Sequence, residues 1–189
     1  MNRQLAALTQ DLEAAQDRLD RLAGETLGRT WNTRPDEDRW SPAECIAHLN
    51  LSSRAILPVL REGIAAARTA QGRTSQYRRD VMGWLISHLV APSSAVKLKA
   101  AASVVPEREH DVPALLREFA ALQAELADCV REAEGLPIDR VTVTSPFDQR
   151  ISYNLYAALI LVARHQHRHL RQAERAVDVP QPLVSAFAV

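Results

Sequence analysis

Apolar residues recur along the first part of the chain with the period of an α-helix. Between residues 1 and 23 their spacing alternates between three and four positions, and polar residues fill most of the places between. This is the pattern of a helix with one apolar face. Gly24 and Gly28 are expected to end it. The apolar positions are Leu5, Leu8, Leu12, Ala15, Leu19 and Leu22.

A second helix is predicted from the residues that would begin it. In the run Ser41-Pro42-Ala43-Glu44, serine is a favoured N-cap, proline suits the first turn, and glutamate completes a capping box. The helix is expected to reach about residue 70, with Pro58 kinking it or ending it early.

Two more helices are predicted further along the chain. Asp111 is an N-cap for a third helix, which Gly135 and Pro137 are expected to end. A fourth helix is expected from about residue 152 to residue 177. Residues 138–150 look extended but have no evident partner strand, so they are predicted to be a link. The interior stripe of the fourth helix is Leu155, Ala158, Val162, His165, His169 and Gln172.

The segment 71–111 is the least regular part of the chain. Its apolar stretch 81–90 predicts a short helix, and the remainder shows no clear period. A connection of this length is often a lid or a substrate-facing segment. Four long amphipathic helices without convincing strands predict an all-α fold, a four-helix bundle.

Composition narrows the classes of function. Lys+Arg and Asp+Glu are both 23, and this balance does not point to nucleic acid or to an anionic membrane. No apolar run approaches the roughly 18 residues of a membrane span, and the first residues lack a signal-peptide segment. A single cytoplasmic domain over residues 1–189 is therefore expected. Cys45 and Cys129 form no motif and are expected to be core residues.

Three of the six histidines lie within five positions of the fourth helix. His165 and His169 share one face, because positions four apart differ by about 40° around a helix, whereas His167 points away by about 200°. Two buried imidazoles need partners, and a divalent metal can satisfy both. His48, on the apolar face of the second helix, is the best candidate for a third ligand. Three histidines would leave open coordination positions, which is typical of a catalytic site.

Other interpretations of these residues remain open. The histidines could be hydrogen-bonded in the core without metal. Glu44 is better explained by the capping box than by general-base chemistry. His88 and His110 are expected to be exposed. Gln172 and Asn154 are candidates for lining the cavity beside the histidines.

Two stretches resemble the DinB/YfiT-like superfamily. Residues 40–49, Trp-Ser-Pro-Ala-Glu-Cys-Ile-Ala-His-Leu, resemble its second-helix motif, and residues 164–172, Arg-His-Gln-His-Arg-His-Leu-Arg-Gln, resemble its last-helix motif. The resemblance implies an up-down-down-up four-helix bundle with a long crossover between the second and third helices. It also implies a divalent metal held by His48, His165 and His169, and a homodimer. Characterised relatives include transferases and isomerases that use low-molecular-weight thiols.

Together these observations lead to two hypotheses. In the first, the protein is a metal-dependent enzyme, with zinc or nickel, that acts on a small molecule as a thiol-dependent S-transferase or isomerase, or as a hydrolase. In the second, it is a non-enzymatic small-ligand-binding or stress-response bundle protein without a catalytic metal. Metal affinity is expected to fall below about pH 6.5, where imidazoles become protonated.

Overall fold

A computed structural model describes residues 2–26, 28–72, 76–92, 96 and 99–178. This part of the chain is mostly helical and includes one small sheet. Its helices are α1 (Arg3–Glu25), α2 (Gly28–Trp31), α3 (Pro42–Thr69), α4 (Val81–Leu89), α5 (Val112–Glu132) and α6 (Leu155–Val177), with a 3-10 turn at Ala102–Val104. The strands are β1 (Thr142–Thr144) and β2 (Ser152–Asn154). The single-domain prediction includes residues 179–189, which lie outside the described residues.

The predicted starts of the second and third helices are confirmed. The Ser41 hydroxyl accepts from the backbone N–H of Glu44, and the Glu44 carboxylate accepts from the backbone N–H of Ser41, which forms the capping box. The Asp111 carboxylate accepts from the backbone N–H of Ala114 at the start of α5. These short-range bonds satisfy N–H groups that a helix start leaves without partners, so they place each start firmly.

The first two helices end close to the predicted residues. The first helix continues through Gly24 and ends at Glu25, before Gly28, since a single glycine costs only about 1 kcal/mol in a helix. Helix α3 ends at Thr69, near the predicted residue 70, and Pro58 does not end it early. The proline removes the hydrogen bond to the carbonyl of Arg54, but both residues are exposed and water can replace that bond.

The core lies between the four long helices. Helix α3 contacts α5 and α6, and α1 contacts the same two helices. All six positions of the predicted α1 stripe are buried, which confirms it. The α5 stripe is buried at Leu115, Phe119, Leu122, Leu126 and Cys129.

Ion pairs and hydrogen bonds between the helices show their relative directions. Helices α3 and α5 run in the same direction, because residue numbers increase together along their pairs, and the same is true of α1 and α6. Helices α3 and α6 run in opposite directions, because Gly63 adjoins Leu155 while His48 adjoins His165. The α3–α5 pairs are Arg54–Glu118, Arg61–Glu125 and Arg68–Glu132. The α1–α6 pairs are Gln4–Tyr156, Asp11–His167 and Arg18–Glu174.

The link before α6 contains a strand pair that the sequence did not predict. Strand β1 pairs with β2 in antiparallel register, with Val143 opposite Tyr153. Both of these side chains are buried, whereas Thr142, Thr144 and Ser152 are exposed. The helix expected from residue 152 therefore begins at Leu155. Three residues of alternation are too short to stand out beside a helical pattern.

The connection between α3 and α5 carries the predicted short helix, α4. Its small residues Gly83 and Ser87 face the protein, and a Cβ on Gly83 would come within 2.3 Å of the Ala157 Cβ. Only a glycine lets α4 approach α6 this closely. Four large apolar side chains of α4 are exposed instead, namely Val81, Met82, Trp84 and Leu85.

Arginines of α6 hold this connection. Arg164 donates to the Ser87 carbonyl at 2.8 Å, and Arg168 donates to the Leu89 carbonyl at 2.8 Å. Arg171 reaches the Pro92 carbonyl at 3.2 Å. The positions of these arginines around the α6 stripe favour a solvated face or a dimer rim, and Arg171 is exposed. Arg164 and Arg168, however, are half-buried and bind carbonyls at the end of α4, which a helix end leaves without partners.

None of the helices among the described residues is long and apolar enough to span a bilayer.

Candidate metal centre

The three histidines predicted to share a site lie together. His48 is in the second turn of α3, and His165 and His169 are one turn apart on α6. Their ring centroids are 4.5 to 5.0 Å apart, and each offers a nitrogen within 4.8 Å of the other two. The described chain thus contains a three-histidine group that could hold a metal ion.

A hydrogen bond to a backbone carbonyl fixes the orientation of the His48 ring. Its Nδ1 lies 2.7 Å from the Val104 carbonyl oxygen, so Nδ1 carries the proton and donates it. The neutral ring then presents the lone pair of Nε2, which lies 3.2 Å from Nε2 of His165. A backbone carbonyl behind a histidine is a common outer partner of a metal ligand. Sequence analysis missed Val104 because the residues around it show no periodic pattern.

The spacing of one pair of these nitrogens fits a bound metal. Two nitrogens bound to one zinc ion at about 2.0–2.1 Å and at a tetrahedral angle are about 3.3 Å apart. The 3.2 Å between Nε2 of His48 and Nε2 of His165 is close to this value. In addition, Nδ1 of His169 is buried without a hydrogen-bond partner in the described structure. A donor set of three imidazoles suits zinc and nickel.

All three imidazoles are held in the neutral form. Burial lowers the pKa of His48, although the hydrogen bond to Val104 partly opposes this. Burial, with the charges of His48 and Arg168, lowers the pKa of His165 to about 3. Burial and the neighbouring charges also lower the pKa of His169 well below 6.5, against a hydrogen bond with Gln172. Neutral imidazole is the form that binds a metal.

Trp40 completes the wall around the rings. Its indole centroid lies 4.9 Å from that of His48 and 5.9 Å from that of His169, with a nearly parallel orientation to the latter. The tryptophan just before the α3 cap thus packs on two of the histidines and limits how they can turn.

The histidines line a cavity of about 910 Å³. Its walls come from α3, α4, α6, the 3-10 turn and the loop after β1. Gln172 lines it, as predicted. The same prediction for Asn154 was wrong, because its side chain caps α6 and donates to the carbonyls of Arg78 and Asp139. Apolar residues in the walls include Ile56, Ile86, Val90, Ile151, Leu161 and Val162.

Gln166 also lines this cavity, and the sequence did not single it out. Its amide donates to the Gln123 side chain at 2.6 Å, and Gln123 donates to the Leu12 carbonyl at 2.9 Å. This buried chain ties α6 to α5 and α1. Gln166 lies on the face of α6 turned toward α1 and α5, along with Leu159 and Leu170. A polar residue on this apolar face was the one signal in the sequence that could have identified it.

Glu44 is occupied structurally, as the capping box predicts. Arg34 binds both of its carboxylate oxygens, one at 2.7 Å. Burial alone would raise the pKa of Glu44, but Arg34 and the Ser41 backbone hold it below its ordinary value. Arg34 was missed because it lies in a loop ten residues before its partner.

The other histidines and the cysteines take no part in the cluster. His167 faces α1 and donates to the Asp11 carbonyl at 3.0 Å, as its helical phase predicts. His88 is exposed, and His110 is partly buried and contacts the Glu107 carbonyl. Both cysteines are buried, and burial raises the pKa of Cys45 to about 12 and of Cys129 to about 11.

The comparison with known proteins agrees with the two sequence motifs. No curated protein and no solved structure matches the chain. The model of the DinB superfamily matches residues 11–173, which include α3, α6 and all three clustered histidines. The chain therefore belongs to the DinB superfamily.

Proposed function

We propose that this protein binds a divalent metal through His48, His165 and His169 and acts on a small molecule as a metal-dependent enzyme. The observation that carries the proposal is the convergence of three neutral imidazoles on the wall of a cavity large enough for a small molecule. Three protein ligands leave positions open for a substrate. Zinc or nickel is the expected metal.

Each residue of the site has a role in this proposal. A bound metal supplies Lewis-acid activation or lowers the pKa of a water or thiol beside it. The Val104 carbonyl keeps His48 in the tautomer whose Nε2 is free to bind. Trp40 restrains the rings of His48 and His169. The apolar walls exclude water from the substrate and strengthen electrostatic interactions inside the cavity.

Two reaction classes fit this arrangement, a thiol-dependent S-transferase or isomerase and a hydrolase. Cys45 lines the cavity, but its pKa of about 12 keeps it protonated near neutral pH. A thiol reaction would therefore use a low-molecular-weight thiol from solution. Consumption of an electrophile that requires added thiol favours the first class, and consumption without thiol favours the second.

Metal analysis tests the proposal. Protein purified without a metal-affinity column is expected to carry about one metal ion per chain, lost in the double variant His48→Ala, His169→Ala. The matched control is His88→Ala, since His88 is exposed and outside the cavity. Metal-free wild-type protein that takes up none on addition would contradict the proposal.

One observation favours the alternative of a metal-free ligand-binding protein. With 3.2 Å between their Nε2 atoms, His48 and His165 can hydrogen-bond to each other without metal. In that case chelator leaves both the melting temperature and ligand binding unchanged. A melting temperature that falls on chelation counts against this alternative, because a ligand that binds only the folded state stabilises it.

We also infer that the four long helices form an up-down-down-up bundle. The parallel registers of α3 with α5 and of α1 with α6 support this order, as does the opposite register of α3 and α6. Parallel neighbours need a long crossover, and residues between α3 and α5 supply one. The homodimer stays a prediction, which sedimentation of the full chain would test.

A further inference from the structure

A second cavity, of about 430 Å³, lies apart from the histidines. It is formed by the start of α1, the residues just before α4, α4 itself and the first half of α6. None of the three clustered histidines lines it. The lining side chains that matter below are Gln4, Tyr77, Arg79, Trp84, Tyr156 and Arg164.

Two guanidinium groups meet at one buried residue beside this cavity. Arg79 donates to the Ser87 hydroxyl, and Arg164 donates to the Ser87 carbonyl at 2.8 Å. Ser87 is fully buried. Among the described residues neither guanidinium forms an ion pair with a carboxylate. Two cations therefore share a neutral partner.

The nearby carboxylates in the described part of the chain do not bind these two guanidinium groups. Asp11 acts on Arg164 through its charge without forming an ion pair with it. Asp80, next to Arg79 in the chain, uses its carboxylate to cap α4. Like charges brought together away from water are costly unless an opposite charge joins them.

Both arginines keep donors for a ligand. A guanidinium carries five N–H donors, and the hydrogen bonds to Ser87 use one from each side chain. Tyr156 adds another donor. Its hydroxyl accepts from the Gln4 amide at 3.0 Å, which leaves its own proton available. The hydroxyl also interacts electrostatically with Arg79.

Aromatic rings form the other wall. The Tyr77 and Tyr156 ring centroids are 5.3 Å apart, and Trp84 is half exposed at the cavity edge. Gln4 fixes this wall by donating to the Tyr77 carbonyl at 2.9 Å as well as to Tyr156. The cavity thus places cationic donors beside flat apolar surfaces.

We propose that this cavity is a second binding site, which takes a small organic anion with a planar or aromatic body. The anionic group, a phosphate or carboxylate, binds Arg79 and Arg164, which suit planar recognition of such groups. The body of the ligand packs on Tyr77, Tyr156 and Trp84. The proposal does not depend on metal binding at the histidines.

Calorimetric titration with phenyl phosphate at constant ionic strength tests the site. Saturable binding of one ligand per chain is expected, and it should be weakened about tenfold or more in Arg79→Gln and in Arg164→Gln, because each loses charge-assisted hydrogen bonds. Arg164→Lys should retain part of the affinity. The matched control is Arg171→Gln, on the same helix but outside the cavity, with unchanged affinity expected.

Three further readouts distinguish binding in this cavity from binding elsewhere on the protein. Inorganic phosphate should compete with phenyl phosphate but bind more weakly, since it lacks the ring. Prior treatment with chelator should leave the affinity unchanged, which excludes phosphate binding at a metal. Circular dichroism of each variant must match that of the wild type at the titration temperature. No saturable binding, an equal loss in Arg171→Gln, or loss on chelation would each overturn the proposal.

Discussion

Two groups of buried polar side chains lie one helical turn apart on α3, and they differ in how completely they are hydrogen-bonded. Around Glu44, both carboxylate oxygens accept from Arg34, one of them also accepts from Ser41, and the Ser41 hydroxyl is paired in return. Around His48, the ring donates to the Val104 carbonyl, and His169 hydrogen-bonds with Gln172. Nε2 of His48 lies beside Nε2 of His165, and Nδ1 of His169 has no hydrogen-bond partner in the described structure.

This difference distinguishes structure from function more clearly than residue type does. Buried polar groups are nearly always paired, so an incomplete set in a cavity wall calls for a partner from outside the chain. The Glu44 group is complete and holds the start of α3. The histidine group is incomplete and borders about 910 Å³ of space. Substitutions in the two groups are therefore expected to act on different properties.

The largest expected effect comes from His169→Leu. Metal affinity should fall at least about a thousandfold, because loss of an outer partner alone costs about 10- to 100-fold. Stability of the metal-free protein should stay equal or rise, since a buried unpaired polar group costs about 1–3 kcal/mol. Zinc titration and urea unfolding measure the two quantities. Strong destabilisation of the metal-free variant would show that the imidazole supports the fold itself.

The reverse pattern is expected for Arg34→Met. Removing one partner of a buried ion pair costs about 3–5 kcal/mol, and the lower end applies here because Arg34 is 24% exposed. Metal affinity should not change, because Arg34 does not contact the histidines. Urea unfolding measures the loss.

A second substitution sharpens this test. In the double variant Arg34→Met, Glu44→Gln, much of the stability should return, because glutamine is neutral and can still complete the capping box. If the double variant is no more stable than Arg34→Met alone, the loss does not come from an unpaired Glu44 charge.

The features predicted correctly are those that local rules of sequence determine. The α1 stripe, the capping box at Ser41 and the shared face of His165 and His169 all follow from a period of 3.6 residues or from contacts within one turn. Pairing His48 with them required only that its helix bury the same kind of face. These predictions hold because each residue's position follows from the pattern of its own helix, and burial of both apolar faces in one core then brings His48 to the α6 histidines.

The features it missed are formed by tertiary contacts. Val104 and Arg34 lie in segments without a hydrophobic period. The Val104 carbonyl binds His48, and the Arg34 guanidinium binds Glu44. The arginines of α6 looked solvated because their partners are backbone carbonyls, which have no sequence signature. Gln166 lies on the apolar side of α6, where its pairing with Gln123 accounts for a polar side chain.

The histidine group and the Glu44 group should affect stability in different pH ranges. The folded-state pKa values of the histidines are lowered from 6.5, so the unfolded chain binds more protons below that pH and the metal-free protein loses stability as pH falls from about 6.5. Each histidine contributes a slope of at most about 1.4 kcal/mol per pH unit. Glu44 is lowered from 4.5, so its contribution is lost only below about pH 4.5.

Urea unfolding with chelator from about pH 2.5 to 8 measures these windows. Replacing all three histidines with leucine should flatten the upper window and leave the lower one, and Arg34→Met, Glu44→Gln should do the opposite. The lowered histidine pKa values also revise the expectation for metal binding. Metal affinity should begin to fall at a lower pH than the value of about 6.5 expected for ordinary imidazoles. A metal-free wild-type stability that is constant between pH 5 and 7 would contradict the neutral, buried histidines.

The smallest expected effect comes from an ion pair with the chemistry of Arg34–Glu44 but without its burial. Arg61 and Glu125 are 58% and 43% exposed, so solvent screens their attraction and each side chain loses freedom by pairing. Arg61→Ala should cost at most about 0.5 kcal/mol, measured by urea unfolding, and high salt should reduce even that. A double-mutant cycle with Glu125→Ala isolates the pair. A coupling energy near that of the buried pair would mean that the α3–α5 ion pairs act as one network, and that burial is not what separates the two cases.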